Sequence, residues 1–331
     1  MHNLQIKIGI AGYGERGKIF TRRLRELDIL KNIYKLIGVY DIDQKKRQEL
    51  YENCPYLNFY ENLEKMLNDV DAIIDATSTE AHFRTTSAAL KFGKHVLVEK
   101  PPALNLKEHE ELENLAKKND LVCFVGYTEL FNPAVQYILK LDPKDFKSVR
   151  TMRFGPKPVH RKSDQGIIVD LISHDIQNLN TWTKETPEII FVEEHEEEGF
   201  LRLKYKNFRA SLHGLRIEGS EYRDRTLELY AKNKKYIVDY ALQNIKLIEP
   251  PDGGPLDPKL FPQLKWAHQI KLSENIENTI RLERKEPLEA LLIEFAKSIK
   301  SGKNSENIPT ISNTKETTKI IENAKNMIKN R

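Results

Sequence analysis

Apolar residues in the first part of the chain form short continuous runs separated by stretches with helical spacing. The runs that are typical of buried strands are Ile6–Ala11, Leu36–Tyr40, Ala72–Ala76, His95–Val98 and Leu121–Val125. Between the runs, apolar residues such as Phe20, Leu24 and Leu27 recur three or four positions apart, which is the spacing of one helix face. Strands that alternate with helices predict a parallel sheet with crossover helices on both faces.

The pattern changes after about residue 126. The next segments are predicted as a helix, a strand and a longer helix at Pro133–Leu141, Ser148–Phe154 and Gly166–Trp182. From residue 188 to residue 248 apolar and polar positions alternate, which is typical of an antiparallel sheet with one covered face. Two amphipathic helices follow, at residues 288–299 and from about residue 314.

These patterns predict an α/β chain with two domains, which also suits a length of 331 residues. Residues 1–126 are expected to form a doubly wound parallel sheet of the Rossmann type. Residues 127–331 are expected to form an α+β domain with a large, mostly antiparallel open sheet. The prediction leaves open whether the C-terminal helices pack back on the first domain.

Composition narrows the classes of partner. The 53 lysines and arginines nearly balance the 49 acidic residues, which does not suit a nucleic-acid-binding surface. The two cysteines, Cys54 and Cys123, argue against a disulfide framework and against a cysteine-ligated zinc. No apolar run approaches the ~20 residues that span a bilayer, and the first residues lack a secretory signal. We therefore expect a cytoplasmic protein without nucleic-acid or membrane partners.

The first strand runs directly into a glycine-rich turn followed by a helix, which is the context of a dinucleotide-binding fingerprint. Its residues are Gly12, Tyr13, Gly14, Glu15, Arg16 and Gly17. The glycines allow a tight turn and close approach of a pyrophosphate, whose charge meets the helix N-terminus. Asp41 ends the second strand, where a carboxylate accepts ribose hydroxyls and repels a 2′-phosphate, so NAD is favoured over NADP. Asp41 as a plain turn or cap residue is the alternative.

Two further positions have the residue types of alcohol oxidation. Lys100 follows a parallel strand, at the edge where ligands bind to such sheets, although a solvated lysine fits equally well. Asp170 and His174 are four residues apart, so they share one helix face. A carboxylate can orient an imidazole that acts as an acid or base near neutral pH, but a surface Asp–His pair has the same spacing.

In combination these motifs resemble the Gfo/Idh/MocA family of oxidoreductases. The resemblance rests on the glycine turn, the Glu99-Lys100-Pro101 tripeptide, the segments around Gly126 and Asn132, and the run DLISHD ending at Asp175. It implies that Lys100, Asp170 and His174 are catalytic. It also implies contacts with the cofactor at Thr77, Ser78, His82, Glu99 and Lys100. Contacts with the substrate are implied at Lys100, Tyr127, Asn132, Asp170 and His174.

The segment from Arg153 to Gly166 resembles the branch of the family that oxidises nucleotide-linked amino sugars such as UDP-N-acetylglucosamine. This resemblance implies that Arg153 and Arg161 bind the diphosphate, in the bidentate manner usual for guanidinium groups. A solvated basic loop is the alternative. We therefore expect an NAD-dependent dehydrogenase of a secondary sugar alcohol, with a free-polyol dehydrogenase, an NAD-dependent glycosidase and a non-enzymatic sensor as rivals.

Two last expectations concern metals and assembly. The acidic run Glu193–Glu198 could suggest a metal site, but a solvated hairpin tip explains it better, so no metal is expected. By analogy with the family, a homodimer or homotetramer formed through the C-terminal sheet is expected.

Overall fold

The computed structural model describes residues 5–157, 165–249, 276–304 and 307–330. The chain divides into two compact units. The first unit contains the residues up to Phe131 together with Lys285–Asn326, so two distant parts of the chain build it. The second unit contains Asn132–Arg284 and the residues from Met327 onward.

A six-stranded sheet forms the centre of the first unit. Its strands are β1 (Ile6–Ala11), β2 (Tyr34–Tyr40), β3 (Asn58–Tyr60), β4 (Ala72–Asp75), β5 (His95–Val98) and β6 (Cys123–Val125). All neighbours are parallel, in the order β3-β2-β1-β4-β5-β6. The predicted doubly wound sheet is confirmed, and the short edge strand β3 is an addition. The strand order reverses between β1 and β4, where such sheets bind their ligands.

Ten α-helices occur in the described part of the chain. They are α1 (Glu15–Glu26), α2 (Asp28–Ile33), α3 (Lys45–Asn53), α4 (Leu63–Asp69), α5 (Thr79–Lys91), α6 (Leu106–Lys118), α7 (Pro133–Ile138), α8 (Ser173–Thr183), α9 (Pro287–Ser301) and α10 (Lys315–Lys329). None of these helices is long and apolar enough to cross a membrane. Asn105 caps α6 by accepting a hydrogen bond from the Glu108 N–H.

The late helix α9 packs into the core of the first unit. Leu291, Leu292 and Phe295 on its apolar stripe are fully buried. The Phe295 ring lies 5.3 Å from that of Phe124 on β6, and the Tyr34 hydroxyl donates to the Leu292 carbonyl over 2.6 Å. An amphipathic helix that cannot bury its apolar face alone is stabilised by such packing.

The second unit is built on an eight-stranded sheet. Its strands are β7 (Phe146–Pro156), β8 (Glu188–Glu194), β9 (Glu198–Lys204), β10 (Arg209–Ile217), β11 (Asp224–Ala231), β12 (Lys235–Asp239), β13 (Asn244–Glu249) and β14 (Ile276–Arg281). Their order is β14-β13-β12-β11-β7-β10-β9-β8. Within this sheet, β7–β10 is the only parallel pair among the described strands, so the predicted, mostly antiparallel sheet is confirmed.

One face of this sheet is covered by the helical segment that ends in α8. Gly199 and Gly214 lie opposite each other on β9 and β10. A Cβ atom at Gly214 would lie 2.6 Å from the Ile167 side chain, and one at Gly199 would lie 3.1 Å from it. The two glycines therefore form a notch that Ile167 fills, which we call the glycine notch. It lets the start of the helical segment lie directly on the strands.

Candidate functional site

The glycine turn of the first unit has the geometry of a phosphate-binding turn. Gly12 has a φ angle of +89°, and a Cβ atom there would lie 2.5 Å from the Ala76 carbonyl oxygen. A Cβ atom at Gly17 would overlap the Gly12 carbonyl, whereas the space around Gly14 is open. The N-cap residue of α1 is Gly14, and no side-chain capping hydrogen bond is formed there by the described residues. Turn and helix start therefore fit a pyrophosphate bound through backbone N–H groups.

Arg16 connects this turn to the end of β5. Its Nε donates to Glu99 Oε1 over 2.8 Å, and its second guanidinium nitrogen contacts the same oxygen. Glu99 is buried, and its other oxygen is 3.0 Å from where a Cβ of Gly126 would lie. The predicted cofactor residues Arg16 and Glu99 thus hold each other, while Glu15 is exposed. Glu99 in this arrangement positions Arg16.

Asp41 lies beside the glycine turn, directly after β2. Its two carboxylate oxygens accept hydrogen bonds from the backbone N–H groups of Tyr13, over 2.6 Å, and Asp43, over 2.8 Å. Asp41 therefore organises the turn, as the alternative interpretation requires. An ionised carboxylate offers about four acceptor positions, so ribose hydroxyls can still bind to it.

The Tyr13 side chain points away from this edge. It is 3% exposed and lies near Cys54 and Arg25, and burial, followed by the influence of Cys54, raises its pKa to about 12. Tyr13 therefore contributes its backbone N–H to the turn and its ring to the core.

Three more predicted cofactor residues follow β4. Thr77 is half-buried and Ser78, at the N-terminus of α5, is exposed. Thr77 donates its N–H and its hydroxyl to Asp75, over 3.2 and 2.6 Å. His82 is buried, and both ring nitrogens face backbone carbonyls. Thr77 and Ser78 thus remain placed at the ligand-binding edge, whereas His82 is occupied by backbone groups.

Lys100 follows β5 at the same edge of the sheet, as predicted. It is half-buried and precedes Pro101, to which it is joined by a cis peptide bond. Tyr127, also predicted to contact substrate, is only 1% exposed. Gly12, Asp41, Thr77 and Lys100 are therefore brought to one edge of the first unit by the ends of parallel strands.

In the second unit, Asp170 and His174 lie on one continuous helical segment. It begins with a π-helical turn at Ile168–Ile172 and continues into α8. Wider turns of this kind are frequent at functional sites. Glu194 caps the segment, because its Oε1 accepts from the Ile168 N–H over 2.7 Å. His174 is half-buried, which leaves part of its ring accessible.

Arg216 on β10 is a site residue that the sequence analysis did not identify. Its guanidinium contacts Asp170 Oδ2 and donates to the Pro156 carbonyl over 3.0 Å. The Asp170 side chain is 9% exposed and that of Arg216 is 16% exposed. The strand alternation Ala210, Leu212, Gly214, Arg216 was the available signal, because it puts Arg216 on the covered face of the sheet.

Two predicted substrate residues are committed to the protein's own structure. Arg153 is 3% exposed. Its Nε and one terminal nitrogen each donate to the Asp175 carboxylate over 2.8 Å, and it lies 5.2 Å from the Tyr240 ring centroid. Asn132 donates to the Tyr240 carbonyl and caps α7 through the Ala134 N–H. Both side chains are therefore held by groups of the second unit, and their assignment to a diphosphate and to substrate stays a prediction.

The other cations of the segment that follows Arg153 add little to the evidence for an anion site. Arg161 lies outside the described residues. Lys157 pairs with Glu197 over 2.8 Å. The acidic run forms the β8–β9 hairpin tip, and no group of residues suited to hold a metal occurs in the described part of the chain.

Comparison with known proteins shows which family the first part of the chain is similar to. Residues 6–127 match the model of the Gfo/Idh/MocA oxidoreductase family, NAD-binding Rossmann fold. This segment is therefore similar to the NAD-binding Rossmann domain of that family.

Individual proteins of known activity match part of the chain at identities near 25%. The chain is 27% identical over 176 residues to UDP-N-acetylglucosamine 3-dehydrogenase of Acidithiobacillus ferrooxidans, covering 52% of this chain and 53% of that protein. It is 25% identical over 205 residues to myo-inositol 2-dehydrogenase of Thermotoga maritima, covering 57% and 58%. The chain thus spans about half the length of the curated relatives it matches. The solved structure of the Acidithiobacillus enzyme, GnnA, superimposes with a TM-score of 0.80 over 98% of both chains at 19% identity, which shows a shared fold.

Proposed function

We propose that the protein is an NAD-dependent oxidoreductase that oxidises a secondary alcohol of a sugar. One observation carries this proposal: the first unit places the glycine turn, Asp41 and Lys100 at one edge of its parallel sheet. This is the edge where parallel sheets bind ligands. The nicotinamide, when bound, supplies the acceptor for the hydride of the carbinol carbon.

Three residues have distinct roles in this proposal. His174 removes the hydroxyl proton as the general base. Lys100 donates a hydrogen bond to the same oxygen and stabilises the negative charge that develops on it. Asp170 orients the His174 ring or contacts the sugar, and the contact with Arg216 holds the Asp170 carboxylate in place. No metal is needed, because proton removal and charge stabilisation are both supplied by side chains.

Substitution of the proposed catalytic residues tests this assignment. Lys100→Ala or His174→Ala should each lower kcat by about 10²–10⁴-fold, while the Kd for NAD changes only a few-fold. The matched controls Lys91→Ala and His195→Ala remove exposed residues of the same types, and should retain wild-type turnover. Near-normal kcat in either test variant would remove that residue from the mechanism.

Asp41 supports NAD over NADP in this proposal, because its charge repels a 2′-phosphate. Asp41→Asn keeps an acceptor for the Tyr13 N–H but removes the charge, so the kcat/KM preference for NAD should narrow. Asp43→Asn, at the exposed neighbouring carboxylate, serves as the control. A wild-type preference for NADP, or an unchanged ratio in Asp41→Asn, would contradict this choice of cofactor.

For the substrate we propose a nucleotide sugar of the UDP-N-acetylglucosamine type, oxidised to its 3-oxo form. The similarity to a UDP-N-acetylglucosamine 3-dehydrogenase supports this choice. The second candidate, a free polyol, is favoured by the burial of Arg153 and by the similarity to a myo-inositol dehydrogenase.

Calorimetry of the NAD-loaded protein with UDP, UDP-N-acetylglucosamine and myo-inositol separates the two candidates. The nucleotide-sugar proposal requires UDP alone to bind, more weakly at high salt, and Arg161→Ala to weaken it. If myo-inositol reduces NAD efficiently and UDP does not bind, the nucleotide-sugar proposal is wrong and a free-polyol dehydrogenase takes its place. NAD that is consumed and regenerated without net NADH would instead indicate a glycosidase.

We also propose that the protein forms a homodimer or homotetramer through the face of the eight-stranded sheet opposite α8. This face carries an aromatic cluster in which the His213 ring stacks on Phe200 at 3.9 Å and meets Phe154 edge-on at 5.2 Å. Apolar clusters on a sheet face are typical of oligomer interfaces. Sedimentation should show an oligomer for the wild-type protein and a smaller species for Phe200→Glu. A monomeric wild-type protein would contradict the proposal.

A further inference from the structure

His82, on α5, lies between two hydrogen-bond acceptors. Its Nδ1 is 2.7 Å from the Pro101 carbonyl oxygen and its Nε2 is 3.1 Å from the Thr77 carbonyl oxygen. A carbonyl oxygen only accepts hydrogen bonds, and a neutral imidazole has a single N–H. A neutral His82 would therefore leave one ring nitrogen with its lone pair facing an oxygen, in a position that is 2% exposed.

His109, on α6, is a matched contrast within the same unit. It is completely buried as well, with Nε2 2.6 Å from the Ile311 carbonyl oxygen. Its Nδ1, however, is 2.8 Å from the hydroxyl of Thr318, which can donate. A neutral ring therefore satisfies both contacts, in keeping with burial, which lowers the pKa of His109. The two histidines differ in their partners and not in their exposure.

A buried cation needs a counter-charge, and Asp75 at the end of β4 provides one. Asp75 is completely buried and accepts hydrogen bonds from Thr77 and, over 2.8 Å, from the Thr86 hydroxyl. Burial raises the pKa of the Asp75 carboxyl, and the charge of His82 opposes that rise. Cys123 on β6 also responds to Asp75: burial, followed by that carboxylate, raises its pKa to about 12.

Charged groups of the neighbouring elements also affect the balance. Glu99 after β5 is paired with Arg16, and Glu113 of α6 is paired with Lys117. Lys100 directly precedes Pro101 in the sequence, and a positive charge close to His82 would oppose its protonation. The attraction of Asp75 and the two carbonyl acceptors have to outweigh that repulsion.

We propose that His82 is a doubly protonated imidazolium that donates to both loops and thereby positions Lys100. One N–H fixes the carbonyl of Pro101, the residue that follows Lys100, and the other fixes Thr77 in the loop after β4. His82 is therefore a positioning residue and does not contact the cofactor, which revises its predicted role. The link to catalysis rests on the proposed function of Lys100; the protonation state of His82 does not.

Nitrogen NMR of the full-length protein labelled with ¹⁵N-histidine tests the protonation state directly. His82 should show two protonated ring nitrogens at pH 7.5, and His109 should show one. The His82→Gln and His109→Gln variants assign the two rings, and selective labelling of proline carbonyls identifies the ring beside Pro101 if His82→Gln does not fold. Asp75→Asn, which removes the counter-charge, should leave His82 with one protonated nitrogen. A singly protonated wild-type His82 at pH 7.5 would overturn the proposal.

Kinetics then test the positioning. A catalytic group that is misplaced by about 1 Å loses up to ~10²-fold in rate, so His82→Gln should lower kcat by about 10- to 100-fold with the KM for NAD within a few-fold. His109→Gln should leave kcat near the wild-type value. If Lys100→Ala retains turnover, the proposed function fails even when the NMR result stands. If Lys100→Ala is inactive but His82→Gln keeps wild-type kcat, the positioning role alone is wrong.

Discussion

Two arginine–aspartate pairs join the same sheet to the same helical segment in the second unit, yet their surroundings differ. Arg153 and Asp175 are 3% and 1% exposed and form two hydrogen bonds of 2.8 Å. Arg216 and Asp170 are 16% and 9% exposed, and Arg216 shares its guanidinium with the Pro156 carbonyl. The first pair is buried in the core, whereas the second is partly exposed to solvent.

The difference shows how one kind of ion pair serves two purposes. A sealed pair contributes stability only while both partners are present, because either charge alone is costly inside the protein. A partly exposed pair contributes less to stability, but it can fix the direction of a carboxylate in a site. We therefore expect Arg153 to govern folding and Arg216 to govern turnover.

The largest effect should come from breaking the sealed pair. Arg153→Ala leaves Asp175 buried without its counter-charge and should lower the free energy of unfolding by about 3–5 kcal/mol, measured by chemical denaturation. Arg202→Ala, at an exposed arginine of the same sheet, should change it by less than about 0.5 kcal/mol. A similar small loss in both variants would mean that the Arg153 pair is not a core element.

The partly exposed pair should show its effect in kinetics. Arg216→Gln removes most of the contact with Asp170 and should lower kcat by about 10- to 100-fold, since a misplaced site residue costs rate more than binding. The free energy of unfolding should fall by less than in Arg153→Ala, because the Arg216–Asp170 pair is more exposed to solvent. Wild-type kcat combined with a large loss of stability would reverse the comparison between the two pairs.

The aromatic partner of Arg153 should have a smaller effect. Tyr240→Leu removes the ring face under the guanidinium and should cost about 2 kcal/mol of unfolding free energy, the range of a desolvated cation–π contact. Tyr240→Phe keeps the ring and should cost clearly less. Equal losses in the two variants would show that the Tyr240 hydroxyl, and not its ring, stabilises this part of the unit.

The smallest effect should come from the cap of the segment that carries Asp170. Glu194→Gln weakens the charge-assisted hydrogen bond to the Ile168 N–H, and should cost about 1 kcal/mol of stability. Turnover should fall only a few-fold. Glu193→Gln, at the exposed neighbour on the hairpin, should change neither quantity, and a change of equal size there would rule out capping.

The ligand-binding edge of the first unit was predictable because local rules determine it. The apolar runs locate β1, β4 and β5, and the glycine spacing locates the turn that follows β1. The packing of α9 against Phe124 was not predictable, because the two segments are far apart in the sequence. The place of α9 depends on tertiary contacts that periodicity does not describe.

Side-chain pairing in the second unit followed non-local rules. The family resemblance implies a phosphate ligand at Arg153, whereas the structure pairs Arg153 with Asp175, which lies 22 residues away in the sequence. Strand alternation carried the missing signal: Val149, Thr151 and Arg153 share the buried face of β7, so Arg153 had to be paired inside the unit. The alternation that predicts the sheet therefore also indicates which of its charged positions are buried.

The glycine notch has a consequence for altering this protein by design. Because Gly199 and Gly214 have no side chains, the Ile167 side chain packs directly against the backbones of β9 and β10. Alanine at either position would lift the start of the helical segment and carry Asp170 with it. A small library of substitutions at residues 199 and 214 would therefore vary the distance of Asp170 from the strands. Every residue proposed for chemistry would keep its identity.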